Sequence, residues 1–384
     1  MGKRGNGEGS VYQRKDDGKW VASLTLDNGK RKVFYGKTKK EVTDKLIKAR
    51  SEQQQGMLIT APTQLLKDYL EHWIEEVQRP TIRLSSYVKY RKVLNAYILP
   101  ELGHIQLQKL TPQRVQMLYA KKLKDGLSPK TVNAIHGVLH KALDNAVKWS
   151  LVARNVCDAV SPPRVPLTEK RVLTVEQARM LLNSVREQRL EVLLTLALTT
   201  GMRRGEILAL RWSDVNLREG SLQVRRTVDY IPHYGYVETE PKTARGRRTI
   251  MLAPFVVEML RTHHMAQMEA RDKANGQWID RDLVFSGLHG DYFNPAFLLK
   301  VFKHVLIDAG LPPMRFHDLR HSAATILLSM KIHPKIVQEV LGHSTINMTL
   351  DTYSHVLPTM QRDVIEKWNQ AFRGEESSIE APKK

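Results

Sequence analysis

Residues 312–321 read Pro312-Pro313-Met314-Arg315-Phe316-His317-Asp318-Leu319-Arg320-His321, and the apolar run Ala323 to Leu328 follows at once. The proline pair marks a break, so the charged cluster opens a helix whose body is apolar. His317 and Arg320 are three apart, and one helix face therefore offers an imidazole and a guanidinium to the same phosphate. His317 and His321 are four apart, which is also the spacing of a zinc pair. The HExxH carboxylate pattern is missing and no third ligand stands out, so no metal is expected.

Three other segments hold residues of matching chemistry. Thr200-Gly201-Met202-Arg203-Arg204-Gly205-Glu206 follows an apolar helix, and Glu206 falls three residues after Arg203, on the same face if the helix resumes there. An arginine held by a neighbouring carboxylate is a preorganised fork for phosphate oxygens, although alone such a pair is usually a surface ion pair. Lys242, in Glu240-Pro241-Lys242-Thr243, is expected between the two strands Leu222 to Val228 and Arg248 to Leu252, where its ammonium is carried on a hairpin. In isolation it reads as an exposed loop lysine. Leu341-Gly342-His343-Ser344 ends a helix that starts at Pro334, with Gly342 as its C-cap and His343 at the break. Tyr353 lies ten residues beyond His343, in Asp351-Thr352-Tyr353-Ser354-His355; it is one of 12 tyrosines, and position alone does not select it.

At 384 residues the chain exceeds what one compact core usually accommodates, so two or three domains are expected. Lys and Arg number 60 against 40 Asp and Glu, a formal charge of +20 that points to a polyanionic partner, with nucleic acid the leading candidate. The apolar run Leu190 to Leu198 is far shorter than the roughly 20 residues needed to span a bilayer. The start, MGKRGNGEGS, lacks a secretory apolar stretch, and the single Cys157 rules out an intramolecular disulfide. Both suit a cytoplasmic setting. Gly5, Gly7 and Gly9 do not form a nucleotide-binding loop, since no strand precedes them and no P-loop lysine follows.

The expected architecture is multidomain, mainly α with small β-sheets. Residues 1–55 form a basic N-terminal unit, a three-stranded sheet plus helix, in which Trp20, Ala22, Leu24 and Leu26 alternate onto one face and Asn28-Gly29 supplies a hairpin turn. Thr38 and Glu41 form a capping box opening a helix with Val42, Leu46 and Ile47 on one side. Residues 1–60 hold 14 Lys and Arg against 7 Asp and Glu, a net of +7 consistent with a DNA-docking sheet. After a polar linker, Gln53 to Gly56, residues 63–160 read as a helical domain, with cap-plus-proline starts at Thr111-Pro112 and Ser128-Pro129 and its aromatics on the apolar stripe. Ser161 to Pro166 is a second linker. Residues 170–372 form a mixed α/β domain opened by a Thr174/Gln177 capping box, and 373–384 is a polar tail.

The series TGMR with E, PKT, HDLRH, LGHS and then Y resembles, in order and rough spacing, the active-site set of the tyrosine recombinase family. The whole chain looks like a phage or conjugative-element integrase of the type with an added arm-binding domain, its helical middle resembling the core-binding domain. The resemblance implies Tyr353 as nucleophile forming a 3′-phosphotyrosyl bond. It further implies Arg203 and Arg320 on the phosphate, Lys242 as donor to the leaving 5′ oxygen, His317 as general acid or base, His343 as a phosphate hydrogen-bond donor, and Glu206 and His321 in support. It implies double-stranded DNA with core and arm sites as substrate, a homotetramer on DNA, an excisionase and DNA-bending proteins as partners, a nucleoid-associated place in a bacterial host, and no cofactor, metal or membrane. The apolar stripe Val364, Ile365, Trp368 and Phe372 is expected to pack on its own domain or on a neighbouring protomer. The alternatives are a non-catalytic DNA-binding regulator and a chromosome-dimer-resolving recombinase, the latter typically lacking the basic N-terminal domain.

Overall fold

The computed structural model describes residues 9–25, 29, 31–54, 62–166, 171–241, 244–343, 345, 346, 350 and 368. It divides into two units, residues 1–167 and 168–384. The first begins with an antiparallel sheet of β1 (Ser10–Gln13), β2 (Trp20–Thr25) and β3 (Arg31–Gly36), in that order. Strand alternation sends Ala22 and Leu24, with Val11, Trp20 and Phe34, towards α1 (Lys39–Gln54), where Val42, Leu46 and Ala49 complete a small core. Ile47, expected on the buried side, is 61% exposed. The stripe Val42, Leu46, Ala49 follows i, i+4, i+7 and leaves Ile47 one step round the helix. Leu26, the last member of the expected strand stripe, lies outside the described residues. The helix start also differs in detail. Thr38 Oγ1 accepts the Glu41 amide at 3.2 Å, but the Glu41 carboxylate reaches the Lys37 amide at 2.9 Å, one residue before the box pattern requires.

The rest of this unit is helical. α2 (Leu66–His72) runs on through a π-helical segment, Trp73–Gln78, and α3 (Leu84–Val93) runs through Leu94–Ile98 into α4 (Leu99–Leu102). α5 (Pro112–Lys124) and α6 (Pro129–Lys148) begin where the cap-plus-proline signals place them, the Thr111 and Ser128 hydroxyls accepting the amides of Arg114 and Thr131. Tyr69, Trp73, Tyr87 and Tyr119 are buried in one apolar core, so these aromatics pack rather than present a stacking platform. Cys157 is buried in the same core and unpaired.

The second unit opens with α7 (Val175–Ser184), capped reciprocally by Thr174 and Gln177. α8 (Glu191–Thr200) is buried on almost every side through Leu193, Leu194, Leu196, Ala197 and Leu198, which is why it reads as a continuous apolar run. Then come α9 (Arg204–Leu208), β4 (Val215–Asn216), β5 (Ser221–Val224), β6 (Thr227–Ile231), β7 (Gly235–Thr239), β8 (Arg248–Met251), α10 (Pro254–Lys273), α11 (Pro295–Asp308), α12 (Asp318–Ser329) and α13 (Pro334–Leu341). One sheet has the order β4-β5-β8, and β6-β7 is a separate hairpin.

The single strand expected from Leu222 to Val228 is therefore two. Arg225 and Arg226 interrupt it by turning to the buried Asp214, with Arg226 Nη1 2.8 Å from Asp214 Oδ2. The chain then pairs Thr227 to Ile231 with Gly235 to Thr239, a hairpin whose polar and aromatic composition carries little alternation. Lys242 thus follows β7 and precedes β8, instead of linking β5 to β8 directly. Among the described residues no helix is long and apolar enough to cross a membrane.

Candidate active site

Three chain turns meet in the second unit. α8 terminates at Gly201, whose φ of 60° lets its carbonyl turn away from the helix. That carbonyl accepts Nη1 of Arg320 at 2.7 Å. Two residues later Arg203 stands at the N-cap of α9, where Glu206 accepts its amide at 3.0 Å through Oε2 and its Nη1 at 2.7 Å through Oε1. The two residues do share a face, but this is no surface pair, because the Glu206 side chain is 2% exposed. From the opposite side Arg248, on β8, donates Nη2 to Glu206 Oε2 at 3.1 Å. The third turn is the end of α13. Gly342 adopts φ 67°, its carbonyl receives Arg203 Nη2 at 3.5 Å, and His343 beyond it is buried.

The site holds three guanidiniums, Arg203, Arg248 and Arg320, around one carboxylate, Glu206, so these four groups leave an excess of positive charge in a largely buried setting. Burial alone pushes the Glu206 carboxyl up, but Arg248 and Arg203 outweigh it and hold the group below the usual carboxylate range. Arg320, itself buried, is pushed down to about 9 by that burial and then by Arg203 and Arg248, with Glu206 opposing. It stays charged at neutral pH. Its Nη2 is buried and has no hydrogen-bond partner among the described residues. A buried charged donor without an acceptor is costly, and an anionic ligand placed there would satisfy it.

His343 is pushed down to about 3, first by burial and then by the Arg320 and Arg203 charges, so it is a neutral imidazole at physiological pH. His317 stands at the start of α12, and the surrounding protein and then Arg320 keep its imidazole below the ordinary value. Its ring packs edge-on against His321 at 5.2 Å between centroids and 85° between planes. Among the described residues the His, Cys, Asp and Glu group close enough to share an ion is His140, Asp144 and Asp158 of the first unit, not this histidine pair.

Two residues that sequence reasoning passed over shape the site. Arg248 could have been suspected only from its place six residues after Lys242. Asp318 lies within the cluster itself, and it is buried: it accepts Arg315 Nη2 at 2.8 Å, Arg315 Nε at 3.1 Å and the Arg315 amide at 2.9 Å, fixing the start of α12. The structure thus brings Arg203, Glu206, Arg320, His343 and, at the start of α12, His317 and His321 into one unit. Lys242, Tyr353 and the stripe residues Val364, Ile365 and Phe372 lie outside the described residues; Trp368 is exposed.

Residues 171–360 match the model of the phage integrase family, and residues 65–124 match the phage integrase N-terminal SAM-like domain. A relative described as tyrosine recombinase XerC-like, from Caldanaerobacter subterraneus subsp. tengcongensis, is 30% identical over 366 residues, covering 90% of this chain and 94% of the relative. The chain belongs to the phage integrase family. As a family tyrosine recombinase it is a DNA strand-transferring enzyme, and the reading as a non-catalytic regulator is not favoured. An integrase of Saccharopolyspora erythraea is 26% identical, covering 96% of this chain and 98% of its own. The phage integrase fold recurs in the Tn1549 transposon integrase solved with transposon right end DNA, with a TM-score of 0.67, 19% identity, and coverage of 79% of this chain and 99% of the other. A lambda integrase dimer bound to a core site matches over the whole of both chains with a TM-score of 0.56 and 16% identity.

Proposed function

We propose that this integrase cuts and rejoins DNA of a mobile element or prophage at specific sites, with Tyr353 as nucleophile. The phenolic oxygen attacks the scissile phosphorus, the bond to the 5′ oxygen breaks, and Lys242 gives that oxygen a proton. The 3′-phosphotyrosyl link is then attacked by the 5′-hydroxyl of the partner strand, which breaks the phosphorus–tyrosine bond and returns the phenol. Arg203 and Arg320 bind the non-bridging oxygens as charge builds on them. His317 serves as general acid or base, His343 hydrogen-bonds a phosphate oxygen, and Glu206 and His321 hold these groups in place. The observation that carries this reading is the buried Arg320 guanidinium, whose Nη2 has no partner among the described residues, standing beside Arg203 as a fork suited to an anion.

Residues 1–55 are assigned to arm-site DNA, 63–160 to the core site, 170–372 to catalysis and 373–384 to a polar tail. The basic three-stranded sheet with its helix favours the integrase reading over a chromosome-dimer-resolving one. The working form is a homotetramer on double-stranded DNA, aided by an excisionase and DNA-bending proteins, in the cytoplasm of a bacterial host and associated with its nucleoid. The test is incubation with nicked suicide substrates from the element's ends in EDTA, followed by denaturation. A protein–DNA adduct that is lost in Tyr353→Phe supports covalent tyrosine chemistry without a metal, and tight site binding with no adduct refutes it.

A further inference from the structure

The three guanidiniums of the site are not used alike. Arg320 keeps Nη2 without a partner among the described residues, and the Arg203 side chain is 37% exposed. Arg248, by contrast, has every nitrogen engaged: Nε donates to the Val340 carbonyl at 2.7 Å, Nη1 to the Gly246 carbonyl at 3.1 Å and Nη2 to Glu206 at 3.1 Å. Its side chain is 6% exposed. Three of its five N–H donors are thus committed to protein oxygens on a buried side chain, and the partners they hold are the supports of the groups that face the proposed phosphate. Glu206 is shared between its two oxygens, Oε1 taking Arg203 Nη1 while Oε2 takes both the Arg203 amide and Arg248. Val340 lies in the last turn of α13, two residues before Gly342 and three before His343. Gly342 is packed so closely that an added Cβ would stand 3.0 Å from Cδ and Nη1 of Arg248.

We propose that Arg248 is a positioning residue: it locks Glu206, and through it Arg203, to the end of α13 that presents His343. The inference rests on the proposed reading of Arg203 as a ligand of the scissile phosphate. A rigid planar fork serves three acceptors in fixed directions at once, which a lysine ammonium on a flexible stem does not reproduce. The bland alternative is a staple between β8 and α13 that lends stability only. The two differ in what they do to charge. A misplaced Arg203 costs rate only where the scissile phosphate carries a negative charge for it to balance, whereas a weakened scaffold costs the same on any substrate.

The experiment uses the full chain in single-turnover cleavage at saturating protein, on suicide substrates with either an ordinary phosphodiester or a neutral methylphosphonate at the scissile position. Arg248→Met is expected to slow phosphodiester cleavage about 100-fold, the scale of a small misplacement of a catalytic group, and methylphosphonate cleavage by less than about tenfold. Arg248→Lys is expected to fall between, with the same preference, and carries the comparison alone if Arg248→Met does not fold. Equal losses on both substrates, or full phosphodiester activity in Arg248→Lys, overturn the assignment. Wild-type protein that forms no Tyr353-dependent adduct removes the underlying reading and this one with it, while a wild-type adduct with equal losses removes only the role of Arg248.

Discussion

Replacing Glu206 by Gln keeps the shape of the side chain and removes one charge from the centre of three guanidiniums. At an effective dielectric near 20, unit charges about 4 Å apart attract by about 4 kcal/mol. The Arg248 contact deserves most of that value, because both partners are buried, with side chains 6% and 2% exposed. The Arg203 contact is discounted to about 1 kcal/mol, since its guanidinium is partly in water. The amide oxygen still accepts one hydrogen bond, recovering about 1 kcal/mol, while its NH2 points a donor at other donors. The expected loss is thus about 3–4 kcal/mol, in line with breaking a buried pair by removing one partner. It should be local to α9, β8 and the end of α13. Hydrogen exchange read by mass spectrometry on the full chain suits this, because peptides covering residues 203–209 and 248–252 report their own opening free energy. Protection reduced by roughly 200-fold or more in those peptides, with α2 to α6 unchanged, is the expected result; a change below about fivefold would refute the view of Glu206 as the keystone.

Arg320→Ala should retain specific DNA binding and lose on the order of 100- to 1000-fold in adduct formation, measured by quenched-flow cleavage of a suicide substrate. For His343, ordinary value 6.5 and folded value about 3, the unfolded chain takes up a proton first, so folded stability is present above pH 6.5 and drains away as pH falls from there towards 3. By pH 5 this amounts to about 2 kcal/mol, and His343→Gln should flatten that part of a denaturant-midpoint-versus-pH curve. Gly342→Ala meets the Arg245 carbonyl at 2.8 Å and must hold φ 67°, so a loss of more than about 1 kcal/mol is expected by thermal unfolding, along with lower cleavage. DNA affinity should fall steeply and linearly with log salt concentration, and a flat response would undercut the basic-surface argument.

The helical parts of the fold were legible because each carries its own start and stop. Thr111-Pro112, Ser128-Pro129, Thr174 with Gln177, and Pro334 with Gly342 all sit at the ends they advertise. The sheet region was not, because what splits Leu222 to Val228 is a pair of arginines turning to Asp214, a tertiary contact with no local signature. Ile47 misled for a similar reason: adjacent to Leu46, it satisfies a loose helical pattern while facing water. For the site, the resemblance of the motif series singled out Arg203, Glu206, Arg320 and His343, but not the partner that fills the far side of Glu206. Arg248 lies 42 residues from that carboxylate and 92 from the Val340 carbonyl, and no short pattern spans such distances.

Those separations bear on the order in which the protein matures. The bond between Arg320 and Gly201 joins residues 119 apart, and that between Arg203 and Gly342 residues 139 apart. Contacts that close such long loops form late in folding. Because N-terminal units generally fold first during synthesis, the helical core around Trp73 and Tyr119 is expected to form before α13 is made. A nascent or truncated chain can therefore hold finished helical parts while its cationic cluster does not yet exist, and it lacks the paired arginines on which the proposed phosphate chemistry rests.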